Sequence, residues 1–134
     1  MKYLLYGANG YTAQLIIKES LKLGLIPTLA GRNEEKLKTI ALEYQLDYVV
    51  FSLDNSALIE QNLTNYDVCI NAAGPFSKTA KPMIEACIAS KTHYLDITGE
   101  IEVFEMAKSY DEQAKKANIS IIPGVGFDVV PSDC

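Results

Sequence analysis

A single histidine, His93, and three scattered cysteines, Cys69, Cys87 and Cys134, leave this chain poorly supplied for a Cys/His zinc centre, and no Cys-x-x-Cys pair occurs. An odd, widely spaced cysteine set also argues against a disulfide framework. Free thiols in a reducing cytoplasm are the expectation, with Cys69 and Cys87 acting as small buried hydrophobes in their apolar surroundings. Positive charge is scarce too. Twelve Lys and Arg against 17 Asp and Glu leave a net charge of −5, which argues against a general nucleic-acid or membrane-surface role while leaving room for a local phosphate site. No apolar run approaches the ~20 residues of a membrane helix. After Lys2 the apolar stretch lasts only from Tyr3 to Tyr6, too short for a secretory signal. Repeats, low-complexity tracts and linkers are missing, and 134 residues suffice for one domain with a single core.

What is present is a regular alternation. Short, continuous apolar runs at Lys2–Tyr6, Pro27–Ala30, Tyr48–Ser52, Val68–Asn71, Tyr94–Ile97 and Ser120–Ile122 suit parallel strands covered on both faces. Between them the apolar spacing predicts helices over Tyr11–Leu23, Glu34–Tyr44 (capped by Asn33), Ser56–Asn62, Lys81–Ala89 with Pro82 in its first turn, and Ile101–Lys116. Gly24 closes the first of these. Six strands with intervening helices and right-handed crossovers predict a doubly wound parallel α/β sheet of order 3-2-1-4-5-6, the Rossmann arrangement.

In such a sheet the ligand lies outside the carboxyl ends of the strands. The first strand ends in Gly7-Ala-Asn9-Gly10-Tyr11-Thr12-Ala13, a glycine turn leading straight into a helix. Glycines let the backbone turn closely under a dinucleotide pyrophosphate, and the helix N-terminus points its amides at the anion. After the second strand comes Ala30-Gly31-Arg32-Asn33, with no acidic residue at the strand end to meet a free ribose 2′-hydroxyl. Arg32 offers a planar guanidinium for a 2′-phosphate, which favours NADP over NAD. A cation at a helix start gains nothing from the helix dipole, so structure alone gives it little reason to be there. Asp54, after the third strand, suits either the adenine amino group or the cap of the next helix, for which Asn55 and Ser56 compete. After the fourth strand, Asn71-Ala72-Ala73-Gly74-Pro75 places small residues where the backbone must approach the nicotinamide side. Asp96 and Glu100 follow the fifth strand and suit polar groups beside a substrate. Glu100 fits the first turn of the next helix, capped by Thr98, at least as well. His93 lies at the amino end of that strand, the wrong edge for chemistry.

Together, Gly7-Ala-Asn-Gly10-Tyr11-Thr12, Ala30-Gly31-Arg32, Asn71-Ala-Ala-Gly74-Pro75-Phe76, Tyr94-Leu-Asp96-Ile-Thr98-Gly99-Glu100 and Pro123-Gly-Val-Gly126-Phe127-Asp128-Val-Val-Pro131-Ser132-Asp133 resemble the N-terminal domain of the saccharopine dehydrogenase-like reductases, including the trans-acting enoyl reductases. The resemblance runs through essentially the whole chain in the family's order. It implies an NAD(P)-binding domain of a cytoplasmic oxidoreductase. Gly7 to Thr12 would hold the pyrophosphate, Arg32 the 2′-phosphate, and Ala73, Gly74 and Pro75 the nicotinamide ribose side. It also implies a second domain after residue 134 that binds a small-molecule substrate and often dimerises. Ala13 stands where many relatives carry a third glycine, and alanine is small enough for close helix–strand packing.

Two other functions compete. An atypical short-chain reductase or epimerase needs a Tyr-x-x-x-Lys pair for proton transfer, and none of the eight tyrosines has a lysine four residues later. A non-catalytic redox sensor, binding NADP to control a partner protein, differs from the enzyme only in residues outside this stretch. No acid or base within it stands out as a catalyst.

Overall fold

Leu4 and Leu5, adjacent in sequence, are both fully buried because they face opposite layers of the molecule. The computed structural model describes residues 2–8, 11–73, 76–97 and 101–124. In it the apolar runs form six strands, β1 (Tyr3–Tyr6), β2 (Thr28–Gly31), β3 (Tyr48–Val50), β4 (Val68–Asn71), β5 (His93–Asp96) and β6 (Ile121–Ile122). All pair in parallel in one sheet of order β3-β2-β1-β4-β5-β6, with Leu4 opposite Thr28 and Cys69, and Asn71 opposite Asp96. The order is the expected one.

Helices α1 (Tyr11–Lys22) and α2 (Glu34–Tyr44) cover one face, where Ala13, Ile17, Leu37 and Ile40 pack on Leu5 and Leu29. Helices α3 (Ser56–Leu63), α4 (Phe76–Ser90) and α5 (Ile101–Ser109) cover the other, where Ile59, Met83, Cys87 and Val103 pack on Leu4, Cys69 and Tyr94. Burial on both faces is why the strands read as unbroken apolar runs rather than alternating ones. Asn33 and Asn55 cap α2 and α3, their side chains accepting from the Lys36 and Leu58 N–H groups at 3.1 Å each. Cys69 and Cys87 are buried and unlinked, and burial, with Cys69 alongside, pushes the Cys87 thiol well up. Among the described residues no helix is long and apolar enough to cross a membrane.

Two expected helices are drawn differently. The fourth begins at Phe76, not Lys81, so Pro82 sits inside α4 rather than in its first turn. Proline there takes no N–H to the carbonyl four residues back. The loss is offset by a continuous buried stripe through Ala80, Met83, Ile84 and Cys87, all fully buried, which holds the helix to the sheet from its start. The fifth expected helix, Ile101–Lys116, is two: α5 stops at Ser109 and α6 (Asp111–Ala117) follows. Tyr110 breaks them with φ −96° and ψ 7°, its hydroxyl donating to Glu85 Oε2 of α4 at 2.7 Å. Asp111 and Glu112 then occupy the new helix's first turn, where negative charge is favourable. His93 is the first residue of β5, at its amino end, and its Nδ1 accepts from the Ser120 N–H at 2.9 Å.

Candidate cofactor site

Parallel pairing sends the carboxyl ends of all the strands to one edge, and there the molecule opens into a cleft of about 690 Å³. That volume is within the range of small-molecule and cofactor sites. Gly7 just after β1, Gly31 at the end of β2 with Arg32 and Asn33 following it, Ser52 to Asp54 after β3, and Ala72 and Ala73 just after β4 line it. Helix α2 adds Lys36 and helix α4 adds Lys78 and Thr79. The order β3-β2-β1-β4 therefore maps along the cleft from the acidic and arginine end to the alanine turn.

Gly7 is required twice over. Its φ is +84°, a conformation that side-chain-bearing residues rarely adopt. A Cβ there would lie 2.7 Å from the Ala73 N and 2.9 Å from the Ala72 carbonyl carbon. The turn after β1 and the turn after β4 thus touch backbone to backbone, across the point where the strand order reverses. Gly7 N–H donates to the Ala30 carbonyl at 2.9 Å and Ala72 N–H to the Tyr6 carbonyl at 2.8 Å, which ties the two turns to their neighbouring strands.

The charge in the cleft is mostly positive. Arg32, Lys36 and Lys78 are all exposed at its rim, and among the described residues no carboxylate makes a salt bridge with any of them. Lys36 and Lys78 are each the third residue of a helix, α2 and α4, where the dipole disfavours a cation. Three unpaired cations at one opening, in a chain of net charge −5, fit an anion with several phosphate groups. Asp54 is the acidic exception. Asn55 takes the cap of α3, so Asp54 is left in the cleft, accepting a hydrogen bond from the Ser52 hydroxyl. Behind them the Tyr6 hydroxyl donates to the Phe51 carbonyl at 3.0 Å. Burial pushes that hydroxyl above the ordinary phenol range, with Arg32 opposing and Asp54 adding to the shift, so it stays a proton donor.

Of the residues expected from sequence, Gly7, Arg32, Asn33, Asp54 and Ala73 come together in this cleft. Asn33 meets it with its side-chain oxygen already engaged on the Lys36 N–H. Thr12 lies in the first turn of α1 and is not among the lining residues. Asn9, Gly10, Gly74 and Pro75, the side chain of Tyr11, and Thr98 to Glu100 fall outside the described residues. Asp96 is fully buried and bonded to the Tyr94 hydroxyl, so it does not stand open beside a substrate. Lys36 and Lys78 are the lining cations the sequence passed over. The signal that singled out Arg32, a cation at a helix start, applies to both.

The chain matches the family model described as saccharopine dehydrogenase NADP binding domain over residues 3–122. It is 28% identical to a saccharopine dehydrogenase-like oxidoreductase of Bos taurus, over 97% of this chain and 35% of that protein. It is 29% identical to a trans-acting enoyl reductase of Mycobacterium ulcerans, over 97% of this chain and 33% of that one. The chain spans about a third of the length of these curated relatives. Among solved structures, apo saccharopine dehydrogenase (L-Glu forming) of Saccharomyces cerevisiae superposes with a TM-score of 0.80 at 19% identity, covering 95% of this chain and 27% of that one. A leucoanthocyanidin reductase of Vitis vinifera, solved as a binary complex with NADPH, superposes with a TM-score of 0.66 at 14% identity, covering 91% of this chain and 48% of that one. At these identities the two structures show a shared fold.

Proposed function

We propose, since this chain belongs to the saccharopine dehydrogenase NADP binding domain family, that its cleft is where NADP is held and that it serves an oxidoreductase acting on a small molecule. The observation that supports this placement is the set of unpaired cations, Arg32, Lys36 and Lys78, along a cleft at the strand carboxyl ends. In this proposal Arg32 and Lys36 take the 2′-phosphate and the turn from Gly7 into α1 takes the pyrophosphate. Asp54 faces the adenine side. Ala72 and Ala73, continuing into Gly74 and Pro75, receive the nicotinamide ribose. When bound, the cofactor supplies or accepts a hydride. The chain's own residues fix its position and cover the face of the turn with small side chains that admit close approach.

Substrate binding and dimerisation belong, on the same proposal, to a second domain of the kind the resemblance implies, and a fold with a cofactor site does not specify the substrate. A reducing compartment, the cytoplasm, suits the unlinked thiols of Cys69 and Cys87.

Titration of the chain with NADPH and with NADH, followed by nicotinamide fluorescence, tests the proposal. NADPH is expected to bind at least about tenfold more tightly, as one charge-assisted contact to the extra phosphate would give. Lys36→Ala should weaken NADPH by roughly three- to tenfold and leave NADH unchanged. Equal binding of the two cofactors, or binding of neither, refutes it.

A further inference from the structure

Both backbone polar groups of Ala73 are taken by side chains rather than by the sheet. Its N–H donates to Asn71 Oδ1 at 3.1 Å, and its carbonyl accepts from Thr79 Oγ1 at 2.7 Å. The Asn71 amide nitrogen donates to Thr79 Oγ1 at 3.1 Å and to the Tyr94 hydroxyl at 3.2 Å. Tyr94 donates in turn to Asp96 Oδ2 at 2.5 Å, and Asp96 Oδ1 accepts from the Gly124 N–H at 2.9 Å. Asn71, Tyr94 and Asp96 are fully buried; Asn71 and Asp96 are the last residues of neighbouring strands and lie in register, and Tyr94 is two residues before Asp96 on β5.

The direction of every bond follows from Asp96. A carboxylate has no proton to give, so Tyr94 and Gly124 must both donate to it. Tyr94 then has only lone pairs left, and they face the NH₂ end of Asn71. That orientation turns Asn71 Oδ1 toward the Ala73 N–H and its second proton toward Thr79, whose own proton goes to the Ala73 carbonyl. Burial, reinforced by the Asp96 charge, pushes the Tyr94 hydroxyl far above the ordinary phenol range, which keeps it a donor.

We propose that this directed network is a positioning device for the cofactor: Asp96, Tyr94, Asn71 and Thr79 hold the Ala72–Ala73 turn in the shape that receives the nicotinamide side, and tie that turn to the backbone at Gly124. The inference rests on the placement of NADP in this cleft. Two features support it over a purely structural role. A buried polar network is rarely worth more to stability than well-packed apolar side chains, and it specifies geometry instead. This one lies at the strand ends that form the cleft, and two of its members, Ala73 and Thr79, line it. Because Gly7 would meet the same Ala73 backbone with any Cβ, a displaced turn also disturbs the glycine turn beneath the pyrophosphate.

The test compares NADPH with adenosine 2′,5′-bisphosphate, which carries the 2′-phosphate and no nicotinamide. Thr79→Val and Tyr94→Phe should each weaken NADPH about tenfold while leaving the bisphosphate within about twofold, and Thr79→Ser, which keeps the hydroxyl, should restore NADPH binding. If Tyr94→Phe does not fold, the Thr79 pair at its half-buried site decides alone. Equal weakening of both ligands, or no weakening of either, overturns the positioning role and leaves the cofactor placement standing. A parent chain that binds neither ligand overturns both.

Discussion

Arg32→Glu is expected to lower NADPH affinity by about a hundredfold and to leave NADH bound at least as tightly as before, since a carboxylate here can accept from its free ribose 2′-hydroxyl. Arg32 stands at the carboxyl end of β2 with its guanidinium exposed to the cleft and, among the described residues, no carboxylate paired with it. A bidentate contact to a phosphate is worth about 1.5–3 kcal/mol, and every 1.4 kcal/mol is tenfold in affinity. Placing a carboxylate there adds repulsion to that loss. NADH has no charge at this position, so the substitution touches only the part of the ligand that distinguishes the two cofactors. Parallel fluorescence titrations of both cofactors check it. Loss of NADPH and NADH affinity in equal measure would show that Arg32 supports the fold of the cleft and not the 2′-phosphate.

Gly7→Ala is expected to destabilise the chain by about 3 kcal/mol or more and to abolish NADPH binding, whereas Gly24→Ala should cost only about 1 kcal/mol. The two glycines share a positive φ, +84° and +79°, so the conformational penalty is similar at both. They differ in surroundings. A Cβ at position 24 meets nothing within 4 Å, while one at position 7 lies 2.7 Å from the Ala73 backbone nitrogen. Backbone cannot rotate away as a side chain can, so the β1 and β4 turns must separate, and those turns are two walls of the cleft. Denaturant unfolding of both variants measures the difference. Equal losses at the two positions would mean that the close approach of Gly7 to Ala73 contributes nothing.

The strand order was legible because parallel strands buried on both faces leave continuous apolar runs, and the glycine pattern after β1, weak by itself, gains its meaning from its place between a strand and a helix. The lining of the candidate site was legible to the extent that it lies at strand ends, as Gly7, Arg32, Asp54 and Ala73 do. Lys78 was hidden by the start of α4. Pro82 reads as a first-turn residue, yet the helix begins six residues earlier, and this puts Lys78 in its first turn at the cleft. Packing of Ala80 and Met83 against the sheet decides that boundary, and a local pattern carries no record of it. The break at Tyr110 was hidden for a similar reason. Val103, Ala107 and Ala114 keep helical spacing across it, while the bond from Tyr110 to Glu85 is made with another helix. Asp96 looked like a polar group beside a substrate, and its burial comes from the place of β5 inside the sheet, between β4 and β6.

The most direct test of the account is a nitrogen-15 amide titration of the chain with NADP⁺, repeated with NAD⁺. The expected result is that NADP⁺ shifts the amides of Gly7, Gly31, Arg32, Lys36, Asp54 and Ala73, all lining the cleft, and that NAD⁺ leaves Arg32 and Lys36 unmoved. Shifts confined to the opposite edge of the sheet, around Lys2, Asp67 and His93, or no shifts with either ligand, would contradict it.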